Sequence, residues 1–154
     1  MSTRLIIMRH AKSSWADSSL NDHDRPLNQR GRKDAPRIYQ ALLEMDWLPD
    51  TIFLSSSKRT CETLSLMHMD EEKVKIEIKP SIYHAPLEEL IIQLGHIENN
   101  KTTMFLGHNP GSELLINYLI GEWHRMPTAS AALLVKENKS WKLENILRPK
   151  ELTL

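Results

Sequence analysis

Leu5-Ile6-Ile7-Met8-Arg9-His10-Ala11-Lys12 is the run whose reading decides the fold. Its first four residues are apolar without polar alternation. That is too few for a helix and fits a strand buried on both faces, as in the middle of a mostly parallel sheet. Residues 52–54 (Ile-Phe-Leu) and 104–106 (Met-Phe-Leu) have the same character. Val74, Ile76 and Ile78 instead alternate with Lys75, Glu77 and Lys79, which predicts a strand with one wet face near an edge of the sheet.

Helical patterns lie between these runs. Ile38, Leu42 and Met45 recur at helical spacing, with Pro49 just beyond. Leu64 and Met67 mark a helix opening after Ser55-Ser56-Ser57, which can supply a cap. Pro86 suits the first turn of a third, with Leu87, Leu90, Ile91 and Leu94 inward. Asn109-Pro110 reads as a cap and first-turn proline for a fourth, carrying Leu114, Leu115, Tyr118 and Leu119 and ended by Gly121. Residues 131–135 and 141–146 flank Glu137-Asn138-Lys139-Ser140 as an antiparallel hairpin. The pattern predicts an α/β protein: a three-layer α/β/α sandwich, its sheet mostly parallel, with an antiparallel C-terminal hairpin. In such sheets the site lies beyond the C-terminal ends of the strands.

Bulk properties narrow the class. A length of 154 residues predicts one domain over 1–154 with a sizeable core. Twenty Lys and Arg balance twenty Asp and Glu, so no net field points to nucleic acid or a membrane surface. Cys61 is the single cysteine, which rules out an intrachain disulfide framework and fits a reducing compartment. Residues 5–8 are too short for a signal core or a membrane span before Arg9 and His10 interrupt. A cytoplasmic monomer is expected.

The predicted strand ends carry the chemistry. Arg9, His10, Ala11 and Lys12 follow the first; three serines, then Lys58 and Arg59, follow the second. Gly107, His108, Asn109 and Pro110 follow the third. If the strands are parallel, two histidines, two arginines and two helix N-termini converge on one crevice suited to a tetrahedral dianion. Arginine forks match phosphate oxygens, and helix N-termini add oriented N–H groups. An imidazole can attack phosphorus and form a covalent intermediate that water opens, while a second, protonated histidine stabilises the transferring group. Lys12 and Lys58 read as solvated.

The chain is similar here to a known family. Residues 5–13 (Leu-Ile-Ile-Met-Arg-His-Ala-Lys-Ser) resemble the Arg-His-Gly signature of the histidine phosphatase (phosphoglycerate mutase-like) superfamily. With Ala11 in the glycine position and Lys12-Ser13 following, they are closer to its SixA-type phosphohistidine phosphatases. Asp24-Arg25-Pro26-Leu27-Asn28-Gln29-Arg30-Gly31, the segment from Ser55 to Thr63, and Leu106-Gly107-His108-Asn109-Pro110-Gly111 resemble the family's further motifs in order. The resemblance implies a mutase-like sandwich, His10 as nucleophile, Arg9 and Arg59 as phosphate clamps, and His108 as the second pocket histidine. Asn109 joins Arg9, Arg59 and His108 as a candidate for holding substrate. No cofactor and no metal are expected, since two arginines repel a cation and the other histidines show no ligand spacing.

Departures from the family pattern bear on substrate. Many relatives carry a glutamate general acid after the strand that here ends near Lys79; this chain has Tyr83 near that place and no carboxylate until Glu88. Ala16 replaces an asparagine that often follows the first motif. Asp22, Asp24, His84 and Glu88 remain candidate acids. Phosphohistidine, on a protein or as a small phosphoramidate, needs less acid help than an alkyl phosphate. The rival readings are a small-molecule phosphomonoesterase or mutase, and a phosphohistidine-binding module without turnover. Cys61 reads as packing, and His23, His68, His96 and His124 as surface or satisfied polar residues; Trp15 is placed at the pocket mouth.

Overall fold

A computed structural model describes residues 2–152. Six strands form one sheet: β1 (Thr3–Arg9), β2 (Thr51–Leu54), β3 (Lys75–Ile78), β4 (Thr102–Gly107), β5 (Ala131–Glu137) and β6 (Ser140–Leu147). Their order is β3-β2-β4-β1-β5-β6, with β3, β2, β4 and β1 parallel and the β5–β6 hairpin antiparallel to β1 through β5. The four helices are α1 (Gln29–Glu44), α2 (Lys58–Met67), α3 (Leu87–Leu94) and α4 (Gly111–Ile120). This is the three-layer sandwich read from the sequence.

Both faces of the central strands are covered, which is why their sequences lack alternation. Ile6, Met8, Ile52, Leu54, Met104 and Leu106 pack with Ile38 and Leu42 of α1 and Leu64 and Met67 of α2. Leu5, Ile7, Phe53 and Phe105 pack on the other face with Leu90 of α3 and Leu115 and Ile116 of α4. Strand β3 lies at the edge, but its alternation fails at the outer end, where Ile78 is 60% exposed. Met45, read as part of the first helix's apolar face, is its C-cap and is exposed. Among the described residues no helix is long and apolar enough to cross a membrane.

Local chemistry sets the helix starts. Asn28 Oδ1 accepts from Gly31 N at 2.9 Å and caps α1, while Ser57 caps α2 through Thr60 N. Gly31 is required by a close approach: a Cβ there would lie 2.2 Å from the Lys12 carbonyl oxygen. Pro110, one place later than read, is the N-cap of α4, and Asn109 Oδ1 accepts from Glu113 N at 3.3 Å. Gly121, at φ 75°, ends that helix in the left-handed region.

The C-terminal ends of β1, β2 and β4 meet at one edge. Arg9 is paired with Gly107 in register, and His10 N donates to Gly107 O at 3.0 Å. Ser55 N donates to Leu106 O at 3.1 Å, and Ala129 N to His10 O at 2.8 Å. These bonds tie the loops after three parallel strands into one rigid floor.

Candidate active site

His10 and His108 face each other across that floor, their ring centroids 5.4 Å apart and each residue 6% exposed. His10 Nδ1 lies 2.6 Å from Ala11 O, so Nδ1 carries the proton and donates. Nε2 then keeps its lone pair. Burial, followed by the Arg59, Arg9 and Arg25 charges, outweighs the Ala11 bond and lowers His10 to about 3. The ring is held neutral, with the Nε2 lone pair free, across the ordinary pH range.

His108 is fixed from both sides. Its Nε2 lies 2.7 Å from Ser55 Oγ, and Arg59 Nη2 lies 3.5 Å from its Nδ1. Burial first, then the neighbouring His10 and Arg59, lowers it to about 2. Burial disfavours the proton expected on the second histidine, and a bound dianion would offset that penalty.

Arg59, in the first turn of α2 and 3% exposed, is the hub of the pocket. Nη1 donates to Asp22 O at 2.7 Å, and Nη2 to Asp22 Oδ2 at 2.9 Å and to His84 Nε2 at 3.1 Å. A guanidinium this buried is tolerated because a carboxylate pairs with it. Tyr83 Oη donates to the same Asp22 oxygen at 2.5 Å, and Arg25 Nη1 to Asp22 Oδ1 at 3.0 Å. Burial alone would raise Asp22; the Tyr83 and Arg59 hydrogen bonds and the Arg59 charge prevail and hold it far below the usual carboxylate range. Arg9 donates through Nη1 to Met126 O at 3.1 Å, and its buried Nε has no hydrogen-bond partner among the described residues.

Of the sequence candidates, the fold brings together His10, His108, Arg59, Asp22 and His84, with Arg9 beside them. Asn109, a candidate for holding substrate, turns its amide nitrogen to Glu113 Oε2 at 2.9 Å and Met126 O at 3.0 Å. Asp24 is exposed and lies 3.7 Å from His23, and Glu88 is exposed in the first turn of α3. Trp15 is 74% exposed, stacked over the Arg25 guanidinium at 3.3 Å. His23 is satisfied by Ser56 Oγ at 2.9 Å.

Sequence reasoning assigned no contact in the pocket to Ser55, Arg25, Tyr83 or Thr63, whose hydroxyl accepts from Ala11 N at 3.0 Å. Ser55 and Tyr83 do follow strand ends, where the site of an open α/β sheet is expected. That rule was the available signal for both.

A neutral imidazole with a free Nε2, a second imidazole and two arginines gather at the ends of parallel strands, an arrangement suited to phosphoryl transfer. The chain belongs to the histidine phosphatase superfamily (branch 1), whose family model matches residues 5–90. An uncharacterized chloroplastic protein of Arabidopsis thaliana is 38% identical over 152 residues, covering 92% of this chain and 70% of that one. A crystal structure from Agrobacterium tumefaciens named for a phosphohistidine phosphatase SixA superposes with a TM-score of 0.85 at 28% identity, over 97% of this chain and all of that one. The protein histidine phosphatase SixA complexed with tungstate shares the fold at TM-score 0.81 and 17% identity, over 96% of this chain and 97% of that one. So does a phosphoserine phosphatase of Entamoeba histolytica, at TM-score 0.74 and 13% identity, over 97% and 99%.

Proposed function

We propose that the chain hydrolyses phosphohistidine, or a related phosphoramidate, through a covalent phospho-His10 intermediate. The observation that carries this reading is the state of Asp22. Among the described residues it is the carboxylate bonded to the pocket arginine, and Tyr83, Arg59 and Arg25 keep it ionised. It is an acceptor without a proton to give. An alkoxide leaving group wants a strong acid beside it, whereas the P–N bond of phosphohistidine breaks once its imidazole is protonated. Glu88 and Glu89, in the first turn of α3, do not supply the acid either: Glu88 is exposed and Glu89 Oε1 accepts from Gln93 at 2.9 Å.

In this reading Arg59 and Arg9 hold the equatorial oxygens, His108, which takes up a proton at Nδ1 when the dianion binds, donates to a third, and His10 Nε2 attacks in line. The similarity to the Agrobacterium protein supports the substrate class. Side-chain exposure of 52% at His84, which lies against Asp22 and Arg59, suits a histidine presented on another protein's surface. The guanidiniums supply the charge that a metal supplies in other phosphatases, so the reaction is read as metal-independent.

Rapid quench with a 32P-phosphohistidine protein tests the proposal. Wild type should acquire an acid-labile, base-stable label and turn over equally well in chelator; His10→Ala should do neither. Undiminished turnover by His10→Ala, or activity lost to chelator and restored by zinc, overturns it.

A further inference from the structure

We infer that His84 is a catalytic residue, the proton donor to the departing imidazole, with Asp22 as its positioning residue; this rests on the phosphohistidine reading above. His84 follows the short turn at Pro80–Ile82 and has φ 49°, in the left-handed region. Histidine and asparagine adopt that region more readily than most side chains. The conformation carries the ring over the pocket. It stacks on Tyr83 with centroids 4.2 Å apart and meets His108 edge-on at 5.1 Å. A half-exposed ring on such a backbone is poorly explained by packing.

The placement of Nε2 explains it better. It lies 3.2 Å from Asp22 Oδ2 and 3.1 Å from Arg59 Nη2. Unprotonated, Nε2 accepts from Arg59. Protonated, it donates to Asp22 and leaves an Arg59 N–H for a phosphoryl oxygen. The charged groups facing the ring are therefore Asp22, from the turn Asp22–Asp24, and Arg59, from α2, with His108 beyond and Arg25 behind Asp22. His10 forms the buried floor, so an in-line displacement sends the leaving group toward the exposed mouth, where His84 stands.

The step balances. His84 Nε2–H gives its proton to the substrate ring nitrogen not bonded to phosphorus. His10 Nε2 attacks phosphorus, the P–N bond breaks, and its electron pair stays on the departing nitrogen, so a neutral imidazole leaves. Water then attacks phosphorus, and the bond to His10 breaks with its pair returning to Nε2. One water proton passes to His84 and restores its charge. An imidazolium donor and an imidazole acceptor are matched in proton affinity, which an imidazolium and an alkoxide are not.

The test is His84→Asn, a side chain that tolerates the same backbone and carries no transferable proton. kcat/KM, which reports the steps through formation of phospho-His10, is measured on a phosphohistidine peptide and on 4-nitrophenyl phosphate, whose phenolate leaves unaided. The peptide value should fall about 10²-fold and the 4-nitrophenyl value less than about threefold. Added imidazole should restore the peptide reaction of His84→Ala. Equal losses on both substrates, or an unchanged peptide value, overturn the role of His84. Wild type that labels on His10 while His84→Asn behaves identically removes this inference alone. Wild type that never labels removes both readings.

Discussion

His108 can serve the pocket in one tautomer, and a serine hydroxyl chooses it. The Arg59 Nη2 3.5 Å from Nδ1 is a donor, so Nδ1 must accept and Nε2–H must donate to Ser55 Oγ 2.7 Å away. Ser55→Ala leaves that buried N–H unpaired, at about 1–3 kcal/mol, and frees the ring to exchange tautomers. If about 1.4 kcal/mol of this is felt in the transition state, kcat falls about tenfold. Steady-state kinetics on a phosphohistidine peptide checks it, and a wild-type kcat would show that the hydroxyl does not set the tautomer. The residues legible from sequence were those whose type alone demands explanation: an arginine and a histidine breaking an apolar strand, and a histidine after the third buried one. Ser55, Tyr83 and Arg25 act through what they touch. Their types are ordinary in loops, and contact over a separation such as that of Tyr83 from Asp22 leaves no local pattern to read.

Among the elements, the strands were legible because burial on both faces suppresses alternation in β1, β2 and β4, while edge position preserves most of it in β3. The short turns at Asp22–Asp24 and Pro80–Ile82 were not, since three residues carry no periodicity. Those turns bring Asp22, Tyr83 and His84 to the site: the sequence offers Asp22 and His84 only as candidate acids, and the contacts that gather them around Arg59 are built on irregular backbone. The start of α1 connects element to site. Gly31 lets the helix touch the loop that follows His10, with Lys12 O accepting from Asn28 N at 2.9 Å. In Gly31→Ala the new methyl would stand 2.2 Å from that carbonyl oxygen, and the obstacle is backbone rather than a movable side chain. Overpacking of this kind costs about 1–3 kcal/mol, or a fall in Tm of about 2–12 °C at this size. Because the displaced loop carries His10, kcat should fall with Tm; calorimetry and kinetics on the same sample check both. An unchanged Tm would mean that the helix start shifts freely.

For the molecule as a whole, the burial that makes the site reactive makes the fold sensitive to acid. His10 and His108 are lowered to about 3 and about 2, while an unfolded chain titrates histidine near 6.5. The unfolded state therefore binds protons that the native state refuses, so stability is complete above about pH 6.5 and declines as pH falls toward the native values. Each fully engaged histidine removes about 1.4 kcal/mol per pH unit. Together they remove about 3 kcal/mol by pH 5.5 and about 5 kcal/mol by pH 4.5, against a total stability on the order of 5–15 kcal/mol. Asp22, whose carboxyl is also lowered, acts in the same direction but only below the ordinary carboxylate range near 4. Urea unfolding from pH 7 to 4.5, in a buffer without phosphate, should show the midpoint falling steadily. His10→Gln should reduce the slope by about half, since one of the two refusing sites is gone. Inorganic phosphate should restore part of the loss, because a dianion in the pocket favours the native state by mass action. A midpoint that stays level to pH 4.5, or a His10→Gln slope equal to wild type, would show that the histidines admit protons without unfolding and that their neutrality is not imposed by burial.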